Sequence, residues 1–388
     1  MVGTPASGSS SQSRVRTVGR IMCLLLSALL AVMVILGCVL IAWSPGKAEP
    51  ILNEDGQPVA GSLSEKIHVN INGLQQGMFI KSKNPANPVL LFLHGGPGMP
   101  EYFLTQGYPT GLEDHVTMVW WEQRGSGLSF RDDLPPETMT LEQFISDTLE
   151  VSHYLRKRFG KEKIYLMGHS GGSVLGIQAA ARAPDLYHAY IGVAQIAYQP
   201  ESEKIAYDYM LSRYQELGNE KMVRKLEAAV PTATGPLPVS YLRSVVRDEA
   251  MHDLGIGTTH DMRSLLKGIV VPTLQCRAYT LGEKVNLLRG KAFTRRSDFN
   301  LFDHAMTADI RELVPTLNIP VYFVHGIHDY TVNYTLAKRY LDQLQAPLKG
   351  FYTFEQSAHS PLFEEPGRMQ RILREDVLMG ANRLADTK

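Results

Sequence analysis

The chain has 388 residues, with 39 Lys plus Arg against 39 Asp plus Glu, and 44% of its residues are hydrophobic. This balance excludes the strongly basic face that nucleic acid requires, and three cysteines are too few for a disulfide framework. A single core stops growing at about 250–300 residues, so the length predicts more than one unit.

Residues 1–20 are rich in Ser, Gly and Thr, carry Arg14, Arg16 and Arg20 and no acidic residue, and read as a disordered basic tail. Ile21 to Trp43 follows without a charge. As a helix it would reach about 34 Å, enough to cross a hydrocarbon core of about 30 Å. A secretory apolar region is shorter, about 7–15 residues, so residues 21–43 are expected to be an uncleaved transmembrane anchor. Cleavage at Gly46-Lys47-Ala48 is the alternative. The arginines precede the span, which predicts a single-pass membrane protein with its tail in the cytoplasm and its main domain outside. Cys23 and Cys38 fall within the span, leaving Cys276 alone beyond it, and residues 44–62 read as a polar linker.

Alternation over Ile67–Ile71, a turn at Asn72-Gly73 and the run Met78–Ile80 predict a hairpin. Val89–Leu93 is a continuous apolar run, as expected of a central parallel strand covered on both faces, and it ends in His94-Gly95-Gly96-Pro97-Gly98. Val116–Trp121 is the next strand. Thr140 to Gly160 reads as a helix, with Thr140 and Gln143 as a capping box and Gly160 as its stop.

Ile164–Met167 then leads into Gly168-His169-Ser170-Gly171-Gly172 and an apolar helix. A G-x-S-x-G pentapeptide between strand and helix is a nucleophile elbow, in which a strained serine presents its hydroxyl clear of the backbone. From Pro200 to about Leu317 the pattern turns helical: Ile205, Tyr209, Met210 and Tyr214 recur at three- and four-residue spacing. This predicts a helical cap over residues 200–317, inserted between core segments 63–199 and 318–388. Tyr207, Tyr209, Tyr214, Phe293, Phe299 and Phe302 are candidate pocket walls, although aromatics at this spacing more often serve the core. His252 and His260, beside Asp253 and Asp261, fit no common metal-ligand spacing, and neither metal nor organic cofactor is expected.

After the cap, Val321–Val324 reads as a buried strand whose loop carries Asp329, and Phe351–Phe354 as a strand followed by His359. Ser170, Asp329 and His359 stand in the chain order that α/β-hydrolases use. The chemistry needs all three: a histidine to take the proton of a weak nucleophile, and a carboxylate to fix its tautomer. Gly96 and Gly171 are expected to supply the oxyanion N–H groups. Glu364 and Glu365 also lie near His359 but read as the charged start of the last helix.

The segments His94–Gly98, Glu122-Gln123-Arg124-Gly125-Ser126-Gly127 and the elbow resemble the prolyl aminopeptidase (proline iminopeptidase) branch of the α/β-hydrolases, from about Leu63 to the C-terminus. The resemblance implies a mostly parallel, doubly covered sheet with an inserted cap, and removal of N-terminal proline or similar residues from short peptides. It also implies cap carboxylates that capture the free amine, for which Glu201, Glu203 and Glu249 are candidates. Family members usually carry Asp where Glu122 stands and Trp where Gly171 stands, so Gly171 is expected to leave a more open pocket wall. A carboxylesterase or lactonase would use the same triad, and the same fold can also serve as a ligand-binding module without turnover.

Overall fold

The computed structural model describes residues 9–230 and 237–387. Helix α1 (Ser9–Ala42) comes first, followed by eight strands that form one sheet. These are β1 (Leu63–Ile71), β2 (Leu74–Ser82), β3 (Val89–Leu93), β4 (Thr117–Trp121), β5 (Ile164–His169), β6 (Tyr187–Val193), β7 (Val321–Gly326) and β8 (Lys349–Phe354), in spatial order β1-β2-β4-β3-β5-β6-β7-β8. β1 and β2 form the hairpin, turning at Asn72 (φ 48°) and Gly73 (φ 80°), both in the left-handed region that such two-residue turns demand. β2 also pairs antiparallel with β4, and every pair from β4 to β8 is parallel.

β3 is apolar throughout because both of its faces are covered. Leu91 and Leu93 pack in one cluster with Phe144, Ile145 and Val174 of the helices α2 (Leu141–Phe159) and α3 (Gly171–Arg182). Leu90 and Phe92 pack in a second cluster with Tyr102, Phe103 and Phe363 on the opposite face. At the start of α2, Thr140 Oγ1 accepts the Gln143 N–H at 3.2 Å, but the Gln143 side chain donates to Asp147 at 2.8 Å. Only half of the expected capping box forms, because the buried Asp147 carboxylate, already paired with Arg124 at 2.9 Å, captures the glutamine. Gly160 ends the helix with φ 58°.

Among the described residues, every element between β6 and β7 is a helix. α4 (Gln199–Glu216) and α5 (Glu220–Ala229) precede further helices that include Val245–Asp253, Leu281–Phe293 and Leu301–Thr307.

Two features of the N-terminal region differ from the sequence reading. α1 already begins at Ser9, so the stretch from Ser9 to Arg20 continues the apolar helix where a disordered tail was expected. Each residue added to an existing helix gains a hydrogen bond without repeating the cost of nucleation. The start of the supposed linker is also fixed to the body. Lys284 Nζ donates to the Trp43 carbonyl at 2.7 Å and to Ser44 Oγ at 2.9 Å, and the Gly46 N–H donates to the Arg277 carbonyl at 3.1 Å.

Candidate active site

The residues singled out in the sequence lie in loops that follow parallel strands on their carboxyl side. Open α/β sheets bind ligands at this edge. His94–Gly98 leaves β3, Ser170 leaves β5, Asp329 follows β7 and His359 follows β8.

Ser170 adopts φ 52° and ψ −123°, a conformation that costs an L-residue about 1–3 kcal/mol and persists only where its surroundings enforce it. Its N–H donates to the Val193 carbonyl at 3.0 Å, and its own carbonyl accepts from Ser173 N at 2.8 Å and Ser173 Oγ at 2.6 Å. The turn is tight enough that a Cβ on Gly168 would stand 2.5 Å from the Gly172 carbonyl oxygen. Gly171 starts α3, where the first N–H groups lack intrahelical partners and the helix dipole is positive.

The expected open wall beside Gly171 is not found. A Cβ there would lie 3.1 Å from the Gly96 carbonyl oxygen and 3.3 Å from Gly96 N, so the loop after β3 occupies that space. Gly96, at φ 117°, makes this approach possible, and it places the two expected oxyanion donors side by side.

Asp329 and His359 meet directly: Asp329 Oδ2 lies 2.9 Å from His359 Nδ1. Asp329 Oδ1 accepts the Val332 N–H at 2.9 Å, and His325 Nε2 lies 3.2 Å from Oδ2. Burial alone would raise the Asp329 carboxyl pKa, but the adjoining His359 and His325 hold it well below the usual carboxylate range. Burial lowers the His359 pKa below its ordinary value, with Asp329 opposing the shift. The two loops are stitched together by His328 N–H, which donates to the Ser357 carbonyl at 3.1 Å.

Glu364 and Glu365, expected as the charged start of the last helix, also serve this loop. Glu364 accepts N–H groups from Ala358 (3.0 Å), Ser360 (3.1 Å) and His260 (2.6 Å), and Glu365 accepts from Gln356 N at 3.0 Å and Ser357 Oγ at 2.7 Å. Orphan backbone donors around His359 outcompete solvent for these carboxylates. Burial pushes the Glu364 carboxyl up to about 7.

Sequence reasoning missed a second buried link, Glu101–His169–His359. Glu101 Oε2 lies 2.7 Å from His169 Nδ1, and His169 Nε2 lies 2.7 Å from the His359 carbonyl oxygen. Both ring nitrogens of His169 face acceptors, which favours the imidazolium paired with a Glu101 carboxylate. Burial opposes both charges, yet their mutual attraction raises the His169 pKa and lowers that of Glu101. Glu101 Oε1 also accepts the Gly95 N–H at 2.8 Å, so one carboxylate ties together the elbow, the β3 loop and the histidine loop. Glu101 lies in an irregular segment, and only the histidine inside the elbow could have signalled a need for such a partner.

Glu122 stands where the family resemblance implies an Asp. Its longer side chain accepts the Tyr279 hydroxyl and the Leu128 N–H (2.6 Å), and burial pushes its pKa up to about 8. It bridges the core to the segment between β6 and β7.

Ser170, His359, Gly95, Gly96, Glu101 and His169 line a cavity of about 300 Å3, whose far side is built by the helices between β6 and β7. Of the six candidate aromatic walls only Phe302 reaches it. Tyr207, Tyr214, Phe293 and Phe299 are core residues, and Tyr209 stacks on Tyr330 with ring centroids 4.1 Å apart. Among the three candidate carboxylates, Glu203 lines the cavity, whereas Glu201 pairs with Arg311 and Glu249 with Lys225. His252 also lines it, its ring bonded to the Asp248 carbonyl (2.6 Å) and Thr258 Oγ1 (2.9 Å), while His260 Nδ1 meets the Gly255 carbonyl at 2.8 Å.

Known proteins match this architecture. The α/β-hydrolase fold pattern matches residues 88–227. The probable aminopeptidase YbaC of Bacillus subtilis is 31% identical over 316 residues, covering 81% of this chain and 97% of the relative. The chain belongs to the α/β-hydrolase family. This hydrolase is also 24% identical to a proline iminopeptidase of Saccharolobus solfataricus, over 75% of this chain and 85% of that protein. The crystal structure of a Mycobacterium smegmatis proline iminopeptidase superposes with a TM-score of 0.59 at 17% identity, covering 81% of the hydrolase and 98% of the other chain. These similarities agree with the resemblance to proline iminopeptidases carried by the sequence motifs.

Proposed function

We propose that the hydrolase is a serine aminopeptidase acting on short peptides through an acyl-enzyme. The observation that carries this reading is the 2.9 Å contact of Asp329 with His359, facing the same cavity as the strained Ser170. Asp329 accepts the Nδ1 proton of His359, which leaves Nε2 unprotonated as the base for the Ser170 hydroxyl. Ser170 Oγ bonds to the scissile carbonyl carbon, its proton passes to His359, and the carbonyl oxygen becomes an oxyanion received by the N–H groups of Gly96 and Gly171. Collapse breaks the C–N bond, and the His359 proton leaves with the amine. A water, deprotonated by His359, then frees the acyl group and restores Ser170. The Glu101–His169 pair acts only by position, holding the His359 carbonyl and the Gly95 N–H. The peptide-bond reading, as against ester hydrolysis with the same residues, is supported by the aminopeptidase names of the relatives.

The base must be neutral, so kcat/KM should rise with pH. Burial depresses the His359 pKa, so the midpoint of that rise should lie below the ordinary histidine value of about 6.5. A pH profile of kcat/KM on an aminoacyl arylamide checks this, and a midpoint above 7 contradicts it.

We also propose that α1 remains in the mature protein as a single-pass anchor. The most apolar 18-residue stretch of Thr17–Ala42 has a mean hydropathy of 3.1, and none of it is buried. Cleavage near Ala48 would remove Trp43, Ser44 and Gly46, the residues that Lys284 and Arg277 hold. Protease added outside intact cells should therefore remove the catalytic domain and spare residues 1–20, as the arginine asymmetry requires. Recovery of the domain as a soluble cytoplasmic protein overturns the anchor.

A further inference from the structure

The charges on the far side of the cavity do not match a site that simply captures an amine. Among the described residues, three carboxylates line the cavity, and each is already engaged. Glu101 pairs with His169 at 2.7 Å, Glu203 with Arg247 at 2.5 Å, and Asp248 with both Arg247 (3.0 Å) and Lys291 (3.2 Å). Three permanent cations face them: Arg247, Lys291 and Arg295. On the helical side this leaves one positive charge in excess.

The excess is localised on Arg295. Its guanidinium lies over the Phe302 ring at 5.0 Å, and its buried Nε has no hydrogen-bond partner. No carboxylate among the described residues forms an ion pair with it. Burial draws its pKa down from the ordinary arginine value, with the Asp248 charge opposing, and the half-buried guanidinium has no directly paired carboxylate. A half-buried guanidinium without an ion pair is a ready partner for a carboxylate, whose two oxygens match its fork of donors. Lys291 stands in the same wall. Gln199 also lines the cavity: its Nε2 donates to Glu203 Oε1 and to the Thr331 carbonyl, both at 2.8 Å, while its buried Oε1 has no partner. That oxygen is an acceptor awaiting an N–H.

We propose that the acyl part of the substrate carries a carboxylate, received by Arg295 beside Lys291, so that the enzyme selects acidic acyl groups. In a peptide this means an N-terminal Asp or Glu, whose amino group has the Gln199 oxygen as an acceptor. The proposal rests on the hydrolytic reading of Ser170, Asp329 and His359 and specifies its substrate class. A neutral N-terminal residue such as proline brings a positive charge into a cavity where every carboxylate is taken, and it leaves Arg295 without a counter-ion.

The test uses the full-length protein in detergent and two matched series: glutamyl, aspartyl, prolyl and leucyl nitroanilides, and glutaryl and butyryl nitrophenyl esters. The acidic member of each series should have the higher kcat/KM, by about 10–100-fold, the size expected for a hydrogen bond to a charged group. Arg295→Gln should reduce that acidic-to-neutral ratio by a similar factor, chiefly through KM, whereas Arg295→Lys should retain part of it. Glutarate should also inhibit the unaltered enzyme more tightly than butyrate, a readout that does not depend on any variant folding. Equal turnover of acidic and neutral members, or equal inhibition by the two acids, overturns the anionic subsite. Labelling of Ser170 by a neutral fluorophosphonate separates the two failures. A labelled serine without acidic preference removes only this proposal, and an unlabelled one removes the hydrolytic reading beneath it.

Discussion

Ser170→Ala should abolish turnover while leaving the fold intact. The substitution removes one oxygen, and the elbow is held by backbone contacts that an alanine keeps: Ser170 N–H to the Val193 carbonyl, and Ser173 to the Ser170 carbonyl. Removing a triad nucleophile costs factors of about 10⁴ to 10⁶ in kcat, because the histidine and the oxyanion donors then have no attack to assist. Steady-state kinetics, together with a thermal melt matching the parent, check this. Activity within tenfold of the parent rejects the elbow assignment. The melting temperature is expected to stay level or rise slightly, since a strained serine is replaced by a smaller residue under the same constraint.

Asp329→Asn should be nearly as severe. The amide fits the same space but offers an N–H where His359 Nδ1 needs an acceptor, so the ring turns its proton towards Ser170 and loses its capacity as base. The expected fall in kcat is about 10⁴ near neutral pH. Asp329 also raises the His359 pKa against the effect of burial. Its removal should therefore move the residual acid limb to still lower pH, and a limb shifted upward contradicts the pairing. Glu364→Gln is the informative control. It leaves an amide oxygen to accept the Ala358 and Ser360 N–H groups, so its cost should be about tenfold or less, acting through the position of His359. A collapse in Glu364→Gln with Asp329→Asn still active exchanges the roles of the two carboxylates.

The parts legible in the sequence were those set by local pattern. β3 reads as a strand because both of its faces are buried, and the hairpin reads from Asn72-Gly73 because few residues tolerate a left-handed turn. The elbow reads from its glycines, and Asp329 and His359 from loops that follow apolar strands. What could not be read depends on which distant groups meet. No spacing links Glu101 to His169, yet their contact organises three loops. The helical period between β6 and β7 was visible, but not which face turns to the cavity, so five of the six candidate aromatics lie elsewhere. The Gly171 wall was misjudged because the space freed by a missing side chain is filled by another segment, Gly96, invisible from the elbow itself. Glu364 and Glu365 read only as the charged start of the last helix because orphan N–H groups leave no trace in sequence.

The central claim is that Ser170 is an activated nucleophile with His359 as its base. Peptide mass spectrometry after exposure of the full-length protein to a fluorophosphonate probe tests it most directly. The account predicts one covalent adduct, on the peptide carrying Ser170, absent from Ser170→Ala and formed far more slowly in His359→Ala. An unlabelled Ser170 in the folded protein, or labelling unaffected by loss of His359, contradicts it.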